Sequence, residues 1–200
     1  MNPKYSYKID PRIKAQIDRA VSVLGEGGVI LYPTDTIWGI GCDATNPEAV
    51  KKVFAIKQRE ESKSLVTLVS DLDMLARYVE QIPQAALDLI EVNDSPMTII
   101  YPKAVHLASN VIAEDGSVGI RIPQNEFCRQ LCFRLRKPLV STSANISGEN
   151  PPKGFKDISP QIRDAVDHIV SPAMEEKTST HCASQIIKIG LKGEIQIIRK

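Results

Sequence analysis

The amino-acid sequence predicts an α/β fold: a single domain in which one twisted, mixed β-sheet is flanked by helices. Helical and strand patterns alternate along most of the chain, and two strand patterns joined by a short glycine-containing connection follow at its end. Of the 200 residues, 42% are hydrophobic and 24% are charged, which is typical of a globular protein. We therefore expect residues 1–200 to form one domain with one hydrophobic core.

Helices are predicted where a capping residue or a proline precedes apolar residues at helical spacing. Asp10-Pro11 and Asn46-Pro47 each combine an N-cap with proline at the first helical position, and Asp71 is a further N-cap. The apolar residues that follow recur every three or four positions. The predicted helices are residues 10–25, 46–57, 71–78, 83–90 and 125–136.

Strands are predicted where short apolar or β-branched runs lie between turn residues. The clearest is Gly28–Tyr32, in which four consecutive apolar residues lie between Gly28 and Pro33. The last two runs are joined by Gly190-Leu191-Lys192-Gly193, which indicates a hairpin. The predicted strands are residues 28–32, 65–69, 97–101, 118–122, 139–142, 184–189 and 194–198.

Composition and charge exclude several classes of protein. The chain has 25 Lys and Arg against 24 Asp and Glu, so its net charge of +1 does not favour a dedicated nucleic-acid binder. Its apolar runs are far shorter than the roughly 20 residues of a membrane helix, and its start lacks the pattern of an export signal. We expect a cytoplasmic protein without a membrane partner. The four cysteines form no CxxC pair, so we expect no zinc site, and we expect Cys128 and Cys132 to be buried free thiols.

The first candidate for chemistry is the polar cluster within residues 32–41, YPTDTIWGIG. Hydroxyls, a carboxylate and glycines directly follow a predicted strand. We expect them at the carboxyl end of the sheet, where open α/β sheets bind ligands. The alternative is a turn whose Asp and Thr side chains bond to the backbone.

Two further clusters are typical of anion sites. Lys57-Gln58-Arg59 ends a predicted helix, and its alternate cations could bind a polyphosphate or merely complement the helix dipole. The run Ser141–Gly148 offers hydroxyls, a carboxamide and a glycine for a phosphate or carboxylate, or is simply a polar loop. Neither a G-x-x-x-x-G-K-[ST] nor a G-x-G-x-x-G motif is present.

In their order and spacing, these clusters are typical of one family. With YPTDTIWGIGCDA, IKQR and STSANISGENPP, the chain resembles the YrdC-like threonylcarbamoyl-AMP synthases in their short, TsaC-like form. The resemblance covers about residues 27–199 and implies a YrdC-like fold. The Lys–Arg–Ser–Asn tetrad of that family corresponds to Lys57, Arg59, Ser143 and Asn145, and the resemblance implies that these residues are catalytic and contact ATP.

The resemblance implies an enzyme, an L-threonylcarbamoyladenylate synthase. It would join L-threonine, bicarbonate or CO2 and ATP, with Mg²⁺ bridging phosphate oxygens, and release pyrophosphate. tRNA threonylcarbamoyl-transfer proteins would then pass the group to an adenosine of tRNA. The resemblance assigns ATP contacts also to Ser117 and Arg199, and threonine contacts to Thr34, Arg121, Ser141 and Ser184. The alternatives are a solvent-exposed Arg121 and a frayed terminus at Arg199.

Several residues depart from the family pattern and leave other functions open. Glu60 and Glu61 place negative charge directly after the predicted phosphate site. Leu68 stands where many members of the family have a histidine, and Gln185 stands where they have a hydroxyl residue. Ser95-Pro96-Met97-Thr98 replaces a glycine-proline-leucine-threonine turn. These changes are compatible with a paralogue that acts on a different carbamoyl-type substrate. A second alternative is an RNA-binding module, because residues 121–137 carry five basic side chains and one acidic one, which could contact tRNA or double-stranded RNA.

Overall fold

The computed structural model describes residues 10–60 and 65–200. Within these residues the chain forms six α-helices and nine strands. The helices are α1 (Pro11–Gly25), α2 (Pro47–Lys57), α3 (Leu72–Leu75), α4 (Gln84–Val92), α5 (Glu126–Leu135) and α6 (Pro160–Ala165). The strands are β1 (Ile30–Tyr32), β2 (Gly39–Gly41), β3 (Val66–Leu68), β4 (Met97–Tyr101), β5 (Val118–Arg121), β6 (Leu139–Ser143), β7 (His168–Ile169), β8 (Gln185–Ile189) and β9 (Ile195–Arg199).

All of these strands belong to one mixed sheet, in the order β7-β1-β2-β6-β3-β5-β4-β8-β9. Three neighbouring pairs are parallel, namely β1 with β7, β3 with β5 and β4 with β8. The other neighbours are antiparallel, including the predicted hairpin of β8 and β9. The predicted fold class, a twisted mixed sheet flanked by helices, is confirmed.

The predicted N-caps start the helices where the sequence places them. The Asp10 carboxylate accepts a hydrogen bond from the Arg12 amide at 2.8 Å. Asn46 Oδ1 accepts from two amides of the first turn of α2, and Asp71 Oδ1 accepts from the Met74 amide at 2.8 Å. Each bond satisfies an N–H group that the helix itself leaves unpaired. The expected helix over residues 71–78 nevertheless ends at Leu75, because the chain beyond it pairs with residues 103–105 instead.

Three elements were not predicted, namely β2, β7 and α6. Strand β2 has only three residues, two of them glycine, which have little intrinsic preference for strands. Glycine is required there because a Cβ on Gly41 would lie 2.3 Å from the Val140 carbonyl oxygen. Strand β7 has two residues and α6 has six, too few for a periodic pattern to show.

The hydrophobic core contains three of the four cysteines. Cys42, Cys128 and Cys132 are buried free thiols, whereas Cys182 is exposed, so the expectation for Cys128 and Cys132 is confirmed. Burial raises the pKa of the Cys132 thiol to about 12, which keeps it protonated and unreactive. In the described part of the chain, no helix combines the length and apolar character needed to cross a bilayer.

One face of the sheet collects polar side chains from four of its strands, β4, β5, β6 and β9. Residues that pair across neighbouring strands point to the same face. Ser143 pairs with Gly39, Ser141 with Val66, Leu68 with Arg121, Thr98 with Ile186, and Ile186 with Arg199. This face therefore carries hydroxyls from β6 and guanidinium groups from β5 and β9.

Candidate active site

A cleft with a volume of about 410 Å³ lies on this face of the sheet. The volume falls in the range of small-molecule sites, roughly 300–1,000 Å³. The first polar cluster was expected at the carboxyl end of a strand, and Thr34, Thr36 and Trp38, which follow β1, do line the cleft. The cleft also extends across the face of the sheet to Arg121 of β5 and Arg199 of β9. All predicted site residues except Ser117 line it, namely Thr34, Lys57, Arg59, Arg121, Ser141, Ser143, Asn145, Ser184 and Arg199.

Lys57 connects the end of α2 to the polar segment after β6. Its side chain is 1% exposed, and its Nζ donates to the carbonyl oxygens of Ser143 at 2.5 Å and Asn145 at 2.7 Å. The Ser147 amide donates to the Lys57 carbonyl oxygen at 2.8 Å. Burial, and then the charge of Arg59, lowers the pKa of Lys57 to about 8. The alternative role, in which Lys57 merely complements the dipole of α2, does not account for these contacts. Its ammonium group instead binds carbonyl oxygens of residues 143 and 145, at the end of β6.

Gln58 and Arg59 continue from Lys57 into the cleft. Gln58 has left-handed backbone dihedral angles, with φ of 49°, and ends the helix. The next residue, Arg59, lines the cleft, and burial lowers the pKa of its guanidinium. The Lys-x-Arg spacing thus brings both cations to one wall.

The Asn145 side chain has a fixed orientation. Its Nδ2 donates to the carbonyl oxygens of Ile146 at 2.9 Å and Glu149 at 2.8 Å. Its Oδ1 is buried and, among the described residues, accepts no hydrogen bond. Both donor hydrogens of this predicted ATP contact are thus already used by neighbouring carbonyls.

Arg121 forms a buried ion pair that the sequence analysis did not anticipate. Its Nη1 lies 2.6 Å from Asp35 Oδ1, and the two side chains are 4% and 8% exposed. Asp35 Oδ2 also accepts from the Gln124 amide at 2.9 Å. The alternative of a solvent-exposed arginine is therefore wrong. Asp35 was predicted only as the carboxylate of the first polar cluster, and its pairing with Arg121, 86 positions later in the chain, was not predicted.

Two of the remaining predicted threonine contacts, Thr34 and Ser184, are held by hydrogen bonds of their hydroxyl groups. Thr34 Oγ1 lies 2.8 Å from Thr36 Oγ1 and donates to the Ile37 carbonyl oxygen at 2.8 Å. The Thr34 carbonyl oxygen accepts from Ser179 Oγ at 2.9 Å, so Ser179 is a supporting residue that was missed. Ser184 Oγ lies 2.8 Å from Thr98 Oγ1 in a buried position.

Arg199 belongs to a strand and is not a frayed terminus. Its Nε and Nη2 donate to the Ser184 carbonyl oxygen at 3.0 Å and 2.7 Å. Burial, and then the positive charge of Arg121, lowers the pKa of Arg199. The two guanidinium groups therefore repel each other, and an anion bound between them would relieve this repulsion.

Ser117 lies apart from the cleft. It precedes β5, whereas Arg121 ends that strand, and its hydroxyl donates to Asp115 Oδ1 at 2.5 Å. Hydrogen bonds from Lys188 and then Ser117 lower the pKa of Asp115 to about 2. The geometry gives the predicted ATP contact of Ser117 no support.

A family model described as "Telomere recombination", and named for Sua5, YciO and YrdC, matches residues 22–200. The chain belongs to the Sua5/YciO/YrdC family. The matched residues, 22–200, include residues 27–199, over which the sequence motifs indicated a resemblance.

Solved structures of similar proteins support the assignment of this Sua5/YciO/YrdC chain. P. abyssi Sua5 complexed with L-threonine matches with a TM-score of 0.80 at 25% identity, over 86% of this chain and 50% of that one. E. coli YciO matches with a TM-score of 0.77 at 22% identity, over 96% and 91% of the two chains. The MTH1692 protein from Methanobacterium thermoautotrophicum matches with a TM-score of 0.65 at 30% identity, over 92% and 85%. The chain thus spans about half the length of the Sua5 protein.

The departures from the family pattern that fall within the described residues lie outside the cleft lining. Glu60 and Gln185 are exposed and Leu68 is buried, and none of the three lines the cleft. Glu61 is outside the described residues. In the Ser95–Thr98 turn, Thr98 supports Ser184 as described above.

The basic stretch at residues 121–137 does not form one surface in this family member. Arg121 is buried against Asp35, and Arg134 pairs with Asp18 at 3.0 Å. Lys137 pairs with Asp43 at 2.5 Å. Of the five cations that could have contacted RNA, one is therefore buried at the cleft and two others are already paired with carboxylates.

The charge of the cleft favours an anionic ligand. Among the described residues that line it, four carry positive charge (Lys57, Arg59, Arg121 and Arg199), and Glu149 is the one carboxylate. No group of three or more His, Cys, Asp or Glu side chains in the described residues could hold a metal ion alone. Mg²⁺ is usually held by one or two carboxylates together with substrate phosphates, and Glu149 fits that requirement.

Proposed function

We propose that this protein synthesises threonylcarbamoyl-AMP from L-threonine, bicarbonate or CO2 and ATP, releases pyrophosphate, and thereby supplies threonylcarbamoyl modification of tRNA. The observation that carries the proposal is the meeting of two cation pairs in one cleft. Lys57 and Arg59 lie at one wall, and Arg121 and Arg199 come from β5 and β9. Lys57 and Arg59 suit a polyphosphate and Arg121 suits an α-carboxylate, while Arg199 would add a contact to ATP, as the family resemblance implies. The L-threonine complex of P. abyssi Sua5 supports the choice of amino acid.

Threonine would bind where Arg121 and the buried hydroxyls meet. Asp35 occupies Nη1 of Arg121, and Nη2 makes only a long bond of 3.4 Å to Thr36 Oγ1. The Nε atom of Arg121 is buried and has no partner among the described residues. The Nε edge of the guanidinium is therefore the one that would receive the substrate carboxylate. Thr34, Ser141 and Ser184 would supply hydroxyls for the polar groups of threonine.

The reaction would proceed by positioning and by electrostatic stabilisation. The threonine nitrogen attacks CO2 and loses a proton, which gives a carbamate. A carbamate oxygen then attacks the α-phosphorus of ATP, and the bond to the leaving pyrophosphate breaks. Holding both reactants in one cleft makes the second step effectively unimolecular and protects the unstable carbamate from water. Arg59 and the Ser143 hydroxyl would stabilise charge that grows on the phosphate groups, and the buried positive charge of Lys57 would favour the same anion without a direct contact. Mg²⁺, held by Glu149 and the phosphates, would neutralise further charge there.

The decisive experiment is a pyrophosphate-release assay with ATP, bicarbonate and a panel of amino acids. We expect release that depends on threonine, together with an adenylate product identified by mass spectrometry. Arg59→Gln should abolish both signals. Lys52→Met is the matched control, because Lys52 lies in the same helix but donates to the Gly27 carbonyl oxygen outside the cleft. Release that prefers another acceptor would reject threonine and indicate a paralogue with a different carbamoyl-type substrate.

A further inference from the structure

The segment from Ser143 to Glu149, here called the 143–149 loop, is held by side chains that were expected to contact the ligand. Lys57 Nζ donates to two carbonyl oxygens of this loop, and the Lys57 carbonyl oxygen accepts from the Ser147 amide. Asn145 Nδ2 donates to two further carbonyl oxygens, those of Ile146 and Glu149. Four carbonyl groups of the loop are thus bound by only two side chains.

Counting the available donors shows how little of each side chain is left for a ligand. A lysine ammonium has three protons and an asparagine amide has two. Lys57 uses two protons on the loop and retains one, whereas Asn145 uses both. Because carbonyl oxygens only accept, the amide of Asn145 cannot turn its oxygen toward them without losing both bonds. Asn145 therefore has no free donor for a phosphate oxygen.

We propose that Lys57 and Asn145 are positioning residues, which shape the 143–149 loop before any ligand binds and so hold Ser147, Gly148 and Glu149 at the cleft beside Ser143. The identity of the ligand as ATP rests on the proposed function, but the shape of the loop is a property of the ligand-free protein. Bonds from an ammonium group to carbonyl oxygens are stronger than neutral ones, and at 1% exposure water does not compete for Lys57. A loop that is already ordered also binds its ligand without a further loss of conformational entropy.

Amide hydrogen exchange on the ligand-free, full-length protein tests the proposal. The Ser147 and Glu149 amides donate to the backbone carbonyl oxygens of Lys57 and Ile146, and both bonds depend on the shape of the loop. Lys57→Met and Asn145→Ala should each release the loop and so increase the exchange rates of these amides by about tenfold, the factor expected for loss of one such hydrogen bond. Lys52→Met and Ser143→Ala are the controls. Both should leave these exchange rates unchanged, although Ser143→Ala should weaken ATP binding.

Chemical rescue distinguishes a positioning role from a general loss of stability. In Lys57→Ala, propylammonium ions should restore both the slow exchange of the Ser147 amide and the affinity for ATP, which isothermal titration measures. The proposal is overturned if Lys57→Met removes ATP binding while the loop amides keep their wild-type exchange rates, since Lys57 would then be a direct phosphate ligand. If Lys57→Met does not fold, Asn145→Ala decides by the same two measurements. A wild-type protein that binds no ATP would refute the proposed function but leave the exchange result, and hence this inference, intact.

Discussion

The buried pair of Arg121 and Asp35 allows a quantitative prediction about stability and substrate binding. Asp35→Asn preserves the shape of the side chain and removes its charge. The two carboxylate oxygens of Asp35 accept from Arg121 and from the Gln124 backbone amide, respectively. The asparagine side chain has only one oxygen, so it can accept from one of these donors while its NH₂ group faces the other. Arg121, at 4% exposure, would keep an uncompensated charge away from water. Removing one partner of a buried ion pair typically costs about 3–5 kcal/mol. We expect about 3 kcal/mol, because one hydrogen bond is retained.

Urea unfolding measures this cost, and the single tryptophan supplies the signal. Trp38 is 1% exposed and lines the cleft, so its fluorescence reports loss of the site as well as of the core. For a chain of this length, 1 kcal/mol lowers the melting temperature by about 2–4 °C, so Asp35→Asn should melt roughly 6–12 °C below the wild type.

A double-mutant cycle separates the pair from other effects of the substitution. Arg121→Met alone leaves the Asp35 carboxylate buried and should also be costly. The double variant removes both charges, and we expect it to be less destabilised than the sum of the single variants by about 3 kcal/mol. Energies that add to within about 0.5 kcal/mol would show that the two charges are not coupled, and the reasoning would be refuted. Threonine binding should be lost in both variants that lack Arg121.

Three further predictions concern the cleft and the sheet. Lys57 is charged below its pKa of about 8, so ATP affinity should fall as the pH rises through that value, and titrations across this range should show a flatter profile for Lys57→Met. Arg199→Gln should weaken ATP binding by roughly ten- to a hundredfold, the usual contribution of a charged hydrogen-bond donor, while circular dichroism stays unchanged. Gly41→Ala should destabilise the fold by about 2–3 kcal/mol in urea unfolding, because its Cβ would lie 2.3 Å from the Val140 carbonyl oxygen. Gly25→Ala, where a Cβ meets no atom within 4 Å, is its control and should not destabilise the fold.

Most of the secondary structure could be predicted from local signals, for physical reasons that the structure makes plain. Asp10, Asn46 and Asp71 cap their helices through bonds that depend only on residues two or three positions away. The hairpin of β8 and β9 likewise follows from adjacent strands and a glycine-containing connection. Strand β2 could not be predicted in this way. Its glycines are favourable only because β6, about a hundred residues later in the chain, approaches too closely for a side chain.

The residues of the site could be predicted, but their partners could not. The family resemblance located Lys57 and Arg121 from short motifs. Arg121 is separated by 86 positions from Asp35, and Lys57 by 86 from Ser143, so no local pattern links them. For the same reason the sequence could not show that Asn145 uses its donors within its own loop.

The sheet itself explains how distant motifs form one site. Strand β6 lies between β2 and β3, and it places the Ser141 and Ser143 side chains on the same face as Arg121. A slip of β6 by one residue against β3 would turn both serines to the opposite face. The 143–149 loop would then leave Lys57, and the two cation pairs would no longer face a shared cavity. The register of one central strand therefore determines whether the motifs can act on one ligand, which is why substitutions in β2 or β6 should affect ligand binding even where they contact no ligand.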